Sequence, residues 1–290
     1  MGGIAQASAA LLALLMLAPQ KKGEPPAALP GGIHELPTPP ELGSKIERSI
    51  KIGHSIYFQD AVAARGTDVL VENIGPQGPK WSRLGGYLTI RESTVDKKPT
   101  DAWVVLFYTR DREPRMAYQI RIWPGRKDPP QFETFEPAAE LSADLSRMIR
   151  ARAAAVATLK NPVQPINPVV LPGDAIGERG FLVYLLAGTK RPDVAVLGRH
   201  YRILVDEDGR TVRKVEPLSN AVIEIPQVPH DKNEQAVGLT VSHVVTDWPL
   251  ETHVFASMLY KVPLFVVTRR GTWLVTRDRI ALVSNLPGLK

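Results

Sequence analysis

Residues 103–123 read WVVLFYTRDREPRMAYQIRIW, and this stretch decides the fold class. Its two ends, Trp103–Thr109 and Ala117–Trp123, are rich in the β-branched and aromatic residues that strands favour. The polar segment between them contains Glu113-Pro114, which is typical of a turn. Apolar and polar residues alternate in the second run, as they do in a sheet with one face in solvent. The two runs therefore predict neighbouring strands of an antiparallel meander.

Other strand-like runs lie in groups on both sides of this stretch. Further strands are predicted at Gly86–Arg91, Phe181–Leu186, His200–Val205, Thr211–Val215, Ala221–Ile225, Val237–Val245, Leu264–Val267, Thr272–Val275 and Ile280–Val283. Strands that are grouped, rather than alternating singly with helices, are typical of antiparallel sheets. The sequence therefore predicts an α+β fold, with meanders and hairpins packed against a few amphipathic helices.

Helical spacing of apolar residues separates these groups of strands. Helices are predicted at about 45–65, at Thr67–Asn73, at Pro137–Lys160 and from Pro249 to about Tyr260. Ser44-x-x-Glu47 has the spacing of a capping box and is predicted to begin the first helix. Gly66 suits the position just after its end, and Asp247 is expected to cap the last helix.

The chain of 290 residues is long enough for about two domains. Runs of proline mark two linkers, because proline removes backbone donors and favours extended chain. The predicted segments are a signal peptide or tether at 1–20, a proline-rich linker at 21–43, an N-terminal α+β subdomain at 44–160, a second proline-rich linker at 161–172, and a C-terminal α+β subdomain at 173–290.

The apolar run Ala9–Ala18 reads AALLALLMLA. Its length is that of a signal peptide, and it is too short to cross about 30 Å of hydrocarbon. No lysine or arginine precedes it, whereas Lys21 and Lys22 follow it, which is opposite to the usual placement of charge. The run predicts a periplasmic or secreted protein. A membrane tether through Ala9–Ala18, or a misassigned start on a cytoplasmic protein, are the alternatives.

Composition excludes several kinds of site. The chain has no cysteine, so it has no disulfides, thiolate metal ligands or thiol nucleophiles. It also lacks the glycine-rich phosphate motifs, G-x-S-x-G and H-E-x-x-H. No cofactor is predicted.

The formal net charge is +6, but acidic residues are interspersed among the basic ones. Nucleic acid is therefore not the expected partner, and an envelope protein or an anionic envelope polymer is preferred.

Histidines and nearby acids are the candidates for chemistry. His200 and His243 are candidates for catalysis, since a general base needs an imidazole with an acidic neighbour. His243, Asp247, Glu251 and His253 form the tightest polar group. Glu251 and His253 lie two residues apart on the predicted helix and therefore point in different directions. We predict no metal site here, and expect these residues to cap helices or to lie on the surface.

Three segments carry a resemblance to known proteins. Ile56-Tyr57-x-x-Asp60 with Ala64-x-x-Thr67-Asp68, the strand through Phe107-Tyr108, and the tail from Glu251 through Thr272-Trp273 are similar to uncharacterised exported proteins of proteobacteria. The resemblance implies a bacterial envelope setting and brings no activity with it. Asp60 and Asp68 are candidates for a binding surface, and solvation on a helix face or helix capping is their alternative role.

Taken together, these patterns predict an exported, non-catalytic protein that binds another envelope component or serves a structural role. One alternative is an envelope hydrolase that uses a histidine–carboxylate pair. Another is a basic cytoplasmic protein that touches nucleic acid.

Overall fold

The computed structural model describes residues 33–92, 94–95, 98–99, 101–160, 165–174, 177–189, 191, 194–219, 221–226 and 238–284. The predicted signal peptide or tether at 1–20 and residues 21–32 of the first linker lie outside these ranges. The helices are α1 (Gly43–Ile74), α2 (Pro79–Ser82), α3 (Ala143–Ala157) and α4 (Glu251–Tyr260), and a 3₁₀ turn at Pro40–Leu42 precedes α1.

The strands confirm the predicted α+β class. They are β1 (Leu84–Arg91), β2 (Thr94–Val95), β3 (Lys98–Pro99), β4 (Trp103–Thr109), β5 (Met116–Ile122), β6 (Gln131–Ala139), β7 (Ile166–Pro172), β8 (Phe181–Ala187), β9 (Val194–Gly198), β10 (Tyr201–Val205), β11 (Val212–Pro217), β12 (Val222–Pro226), β13 (Leu239–Ser242), β14 (Leu264–Thr268), β15 (Gly271–Thr276) and β16 (Arg279–Val283). Strand β4 has the bounds that its sequence predicts.

Three four-stranded sheets organise the described part of the chain. The first sheet has the order β1-β4-β5-β6, the second β11-β10-β8-β7, and the third β13-β14-β15-β16. Adjacent strands in these sheets are antiparallel except β13 and β14, which are parallel. The predicted meander of Trp103–Thr109 and Ala117–Trp123 is the centre of the first sheet.

Helix α1 runs unbroken through Gly66, where the sequence predicts the end of the first helix, and includes the predicted helix at Thr67–Asn73. Its N-cap is Leu42 with no side-chain cap, so the predicted capping box of Ser44 and Glu47 does not begin it. Gly66 lies inside the helix, where a Cβ would come 2.6 Å from a methyl of Val105 on β4. Tight packing on a strand, rather than a helix end, is the physical reason for this glycine.

Helix α1 also joins the two predicted subdomains. Its N-terminal half packs against α4, and Gly53 is the point of closest approach, where a Cβ would lie 2.6 Å from that of Val254. Its C-terminal half supplies Val62, Val69 and Leu70 to the core beneath the first sheet. Helix α3 packs on the second sheet. The hydrophobic cores therefore extend across the predicted boundary between residues 44–160 and 173–290.

Two proline-rich stretches are more ordered than their composition indicates. Residues 166–172, predicted to belong to a linker, form β7 at the edge of the second sheet. An edge strand tolerates Pro168 and Pro172 because an outward-facing position needs no backbone donor. Near the N-terminus, Ile33 is 6% exposed in a cluster with Phe265 and Val283, so the end of the predicted 21–43 linker is docked on the third sheet.

The third helix and the strand before it also differ from prediction. Helix α3 begins after Ser142, whose hydroxyl accepts a hydrogen bond from the Leu145 amide at 3.3 Å. Residues 137–139, predicted to start this helix, instead end β6. Strand β6 escaped prediction because its exposed side chains show no clear period of two.

Candidate functional site

A chain of hydrogen bonds joins α1, β1 and β7 around Tyr87. The Tyr87 hydroxyl donates to the side-chain oxygen of Asn167, and the Asn167 amide donates to the carboxylate of Asp60. The three residues come from α1, β1 and β7, and Asp60 and Asn167 are 107 positions apart in sequence. This chain brings one predicted binding residue, Asp60, to the junction of the first and second sheets.

A small cavity opens beside this chain. The residues that line it include Gln59, Asp60, Tyr87, Thr89 and Pro168. About 10 Å³ is open to the centre of a water-sized sphere, which is roughly what one water molecule needs. Thr89 is 5% exposed and its hydroxyl has no hydrogen-bond partner. Since buried polar groups are rarely left without a partner, the cavity is suited to a small polar occupant.

A second buried polar atom without a partner lies on the other side of Tyr87. The guanidinium carbon of Arg152, on α3, is 5.6 Å from the centre of the Tyr87 ring. Its Nη1 donates to the Tyr108 hydroxyl at 3.2 Å, whereas its buried Nε has no partner. In the described part of the chain, Thr89 Oγ1 and Arg152 Nε are the buried side-chain atoms of this kind. Both flank Tyr87.

Burial governs the acid–base behaviour of this site. It raises the pKa of Asp60 to about 6, and the hydrogen bond from Asn167 opposes the rise. The pKa of Tyr87 is also raised, first by burial and then by the negative charge of Asp60. Asp60 therefore changes charge near neutral pH, whereas Tyr87 stays neutral.

Three histidines serve the fold, of which His200 and His243 are buried and His253 is half-buried. Nδ1 of His200 accepts the Ala187 amide hydrogen at 3.0 Å, and Nδ1 of His253 accepts that of Leu250 at 3.0 Å. His243 contacts the Thr246 hydroxyl at 2.9 Å through Nε2. The rings of His243 and His253 meet edge to face, with centroids 4.7 Å apart. The sequence predicts a helix cap or a surface position for His243, but this residue is 4% exposed.

Loss of solvent also sets the charge of these histidines. Burial lowers the pKa of His200 and of His243 to about 4. Burial and the nearby His243 and His200 lower the pKa of His253 to about 3. All three rings are neutral at pH 7.

Within the predicted polar group at 243–253 the two histidines stay in contact, whereas the two acids pair with arginines. Glu251 is 2% exposed and pairs with Arg202 at 2.7 Å. Asp247 pairs with Arg269 at 3.0 Å on the surface and does not cap α4, whose N-cap is Leu250. Within the described ranges, no group of three or more histidine and acidic side chains could hold a metal ion.

Asp68, the other predicted binding residue, lies two turns after Asp60 on α1 and does not line the cavity. Burial raises its pKa, and Arg65 opposes that rise.

One histidine outside the predicted candidates contacts a carboxylate: His54 Nε2 is 3.2 Å from Asp278. The same nitrogen is 2.6 Å from the Arg277 carbonyl oxygen, and Asp278 is 61% exposed.

Sequence reasoning missed Tyr87, Asn167 and Arg152. They share no local motif, because the contacts that join them arise only when β1, β7 and α3 pack together. The local signal for Asn167 is weak, because Asn161 and Gln164 lie in the same proline-rich stretch.

Two clusters of basic residues, the first from Arg110 to Lys127 and the second from Arg269 to Arg279, are partly paired with acids. From the first cluster Arg115, Arg121 and Arg126 pair with Glu140, Glu92 and Asp101, and from the second Arg269, Arg270 and Arg279 pair with Asp247, Glu41 and Glu35. These acids offset much of the local positive potential, as intermixed surface charges do.

Comparison with known proteins gives no assignment. The chain matches no family model, no curated protein and no solved structure. None of the helices in the described ranges combines the length and apolar character that crossing a membrane requires.

Proposed function

We propose that this protein is an exported, non-catalytic binding protein of the bacterial envelope. The observation that carries the proposal is the use of the candidate catalytic histidines as internal hydrogen-bond acceptors. His200 receives the amide hydrogen of Ala187 at Nδ1, and His243 receives that of Thr246 at Nε2. A general base needs a lone pair directed at substrate, whereas these lone pairs are used within the fold.

The path of the N-terminal chain supports a body held at the end of an extended spacer. The Leu36 amide donates to the Leu282 carbonyl at 2.9 Å, and the Ser284 amide donates to that of His34 at 2.8 Å. Arg279 pairs with Glu35 beside them. Residues 33–36, which lie within the predicted linker at 21–43, thereby fasten to the outer edge of the third sheet. A tether through Ala9–Ala18 would then hold the body by this sheet.

The charge pairing of the arginine clusters favours an envelope protein over an anionic polymer as the partner. A polymer-binding face needs unneutralised positive charge, and Arg121 and Arg126 are both within 3 Å of carboxylates. The same pairing argues against nucleic acid as the partner.

An envelope hydrolase is the second candidate, because His54 and Asp278 do form a histidine–carboxylate contact of 3.2 Å. The short contact of the same nitrogen with the Arg277 carbonyl indicates a structural role for His54. Substitution of His54 by glutamine separates the two functions.

Fractionation of the native host, intact mass of the recovered protein and cross-linking in living cells test the proposal. We expect the protein in the envelope fraction, with a discrete cross-linked complex that the His54→Gln variant retains. Retention on DNA or heparin is expected to be lost at physiological salt. A cytoplasmic protein would refute export, and loss of the complex in His54→Gln would favour the hydrolase.

A further inference from the structure

We propose that the cavity between α1, β1 and β7 binds a water-sized monovalent cation that donates hydrogen bonds, for which ammonium is the simplest ion. The inference goes beyond the proposed function, since it concerns the purified chain and does not depend on location or partner. It rests on the size of the cavity, on the carboxylate in its wall, and on the unpartnered hydroxyl beside that carboxylate.

The cavity has room for an occupant of about the size of one water molecule. About 10 Å³ is open to the centre of a water-sized sphere, whereas sites for organic ligands enclose roughly 300–1,000 Å³. Val169 and Val170 of β7 and Leu88 of β1 close it on the apolar side. Ammonium has about the size of water, and a larger molecule would require α1 to move away from β7.

The carboxylate of Asp60 lacks a cationic partner within the described ranges. Asn167, a neutral amide, donates to one of its oxygens. Burial and this hydrogen bond are the causes of its pKa shift, with no contribution from a neighbouring cation. A desolvated carboxylate is stabilised by pairing with a positive charge. The guanidinium of Arg152 does not supply it, since it lies over the ring of Tyr87 and bonds to Tyr108.

The unpartnered hydroxyl of Thr89 completes the argument. It lies in the wall shared with Asp60 and can accept one hydrogen bond from an occupant. Ammonium carries four N–H donors, so it can bond to the carboxylate, this hydroxyl and the neighbouring Gln59 amide oxygen together. Sodium and potassium have no hydrogen-bond donor to offer, so their salts serve as the comparison for ammonium.

Asp60 is the group at this site that changes charge between pH 5 and 8. The ionisable groups that face it are Tyr57 on α1, Tyr87 on β1 and Tyr260 on α4, and burial raises the pKa of each. Asn167 on β7 carries no charge. Arg152 on α3 lies over the Tyr87 ring, with its guanidinium carbon 5.6 Å from the ring centre. Cation binding is therefore expected above pH 6 and should be lost as Asp60 takes up a proton.

The experiment compares thermal unfolding of the full chain in ammonium, potassium, sodium and tetramethylammonium chloride at equal ionic strength. At pH 7.5 we expect ammonium to raise the melting temperature above the other three salts, in a saturable manner. At pH 5 the increment should disappear. ¹⁵N-labelled ammonium should also show saturable line broadening in NMR spectra with the protein present.

Two substitutions in the cavity wall, each expected to preserve the fold, test the site directly. Asp60→Asn removes the charge and keeps an oxygen for Asn167, and Thr89→Val removes the unpartnered hydroxyl with little change of shape. Both should abolish the ammonium increment, while Asp68→Asn, on the same helix but outside the cavity, should retain it. Equal melting temperatures in all four salts, or an increment that survives in Asp60→Asn, would overturn the proposal.

Discussion

The hydroxyl of Tyr184 on β8 donates to the carboxylate of Glu251 at 2.7 Å, although 67 positions separate the two residues. Arg202 on β10 reaches the same oxygen at 2.7 Å, and its Nε binds Glu216 at 2.9 Å. This buried group fastens the first turn of α4 to the second sheet. Glu251, a predicted metal ligand candidate, is therefore part of a structural ion pair.

Removal of the Glu251 carboxylate should destabilise the protein. Glu251→Ala leaves Arg202 and the Tyr184 hydroxyl without a shared acceptor, and we expect a loss of about 3 kcal/mol in the free energy of unfolding. Tyr184→Phe should cost about 1 kcal/mol. Urea denaturation measures both, with Glu207→Ala on the exposed β10–β11 turn as control. A loss below about 1 kcal/mol for Glu251→Ala would contradict the structural role.

A matched pair of glycines tests the contact between α1 and α4. A Cβ at Gly53 would lie 2.6 Å from the Cβ of Val254 and 2.8 Å from the Glu251 carbonyl oxygen. Gly53→Ala should therefore lower stability by about 1–3 kcal/mol, despite the higher helix propensity of alanine. Gly43→Ala, with nothing within 4 Å, should be neutral or stabilising. Thermal melts of both variants decide this, and a stabilised Gly53→Ala would show that the helices are not in close contact.

Asp60→Asn should stabilise the protein at pH 7.5 in sodium chloride. The folded pKa of Asp60 is about 6, against about 3.9 in an unfolded chain. A carboxyl whose pKa rises on folding contributes stability at low pH and loses it as pH rises through 6. The asparagine variant should thus exceed wild type by up to about 3 kcal/mol at pH 7.5 and match it near pH 4.

Urea denaturation at several pH values measures this difference, and Asp128→Asn on an exposed loop serves as the control. A constant difference between Asp60→Asn and wild type across pH 4–8 would mean that Asp60 does not titrate in this range.

The buried histidines should make the protein sensitive to acid. The folded pKa values of His200 and His253 are about 4 and about 3, against about 6.5 when unfolded. The unfolded chain therefore takes up protons first as pH falls, so stability is present above pH 6.5 and declines toward pH 4. Each histidine should contribute about 1.4 kcal/mol per pH unit in that interval.

Asparagine substitutions test this without removing the hydrogen bonds. In His200→Asn and His253→Asn, the side-chain oxygen can still accept from Ala187 and Leu250, but the titrating group is gone. Both variants should show a shallower fall of stability below pH 6.5 in urea titrations. His34→Asn, at an exposed position, should follow wild type, and identical pH profiles for all of these proteins would refute the assignment.

The docking of the N-terminal chain is tested at two neighbouring positions. Ile33 is 6% exposed among Phe265, Leu274 and Val283, whereas Leu36 is 44% exposed. Ile33→Asp should lower the free energy of unfolding by roughly 3 kcal/mol, because a charge would enter an apolar cluster. Leu36→Asp should change it by less than about 0.5 kcal/mol. Equal effects of the two substitutions, measured by urea denaturation, would show that residues 33–36 are not fastened to the third sheet.

Sequence pattern alone predicted the strands and helices that have strong local preferences or a regular spacing of apolar residues. Trp103–Thr109 is rich in β-branched and aromatic side chains and lies between polar turns, so its bounds follow from local preference. The apolar stripe of α3 likewise marks a helix, although its first residue depends on the Ser142 cap. Grouping of such strands predicted the α+β class.

Only the tertiary structure decided the features that depend on distant contacts. The sequence predicts a helix end at Gly66, yet β4 packs closely on α1 there, as α4 does at Gly53. Proline-rich residues 166–172 read as a linker, yet the free edge of the second sheet accepts them as a strand. Asp60 meets Asn167 across 107 positions. Periodicity is a local property of the chain, whereas close approach, burial and the resulting charge of a side chain are set by which elements pack together.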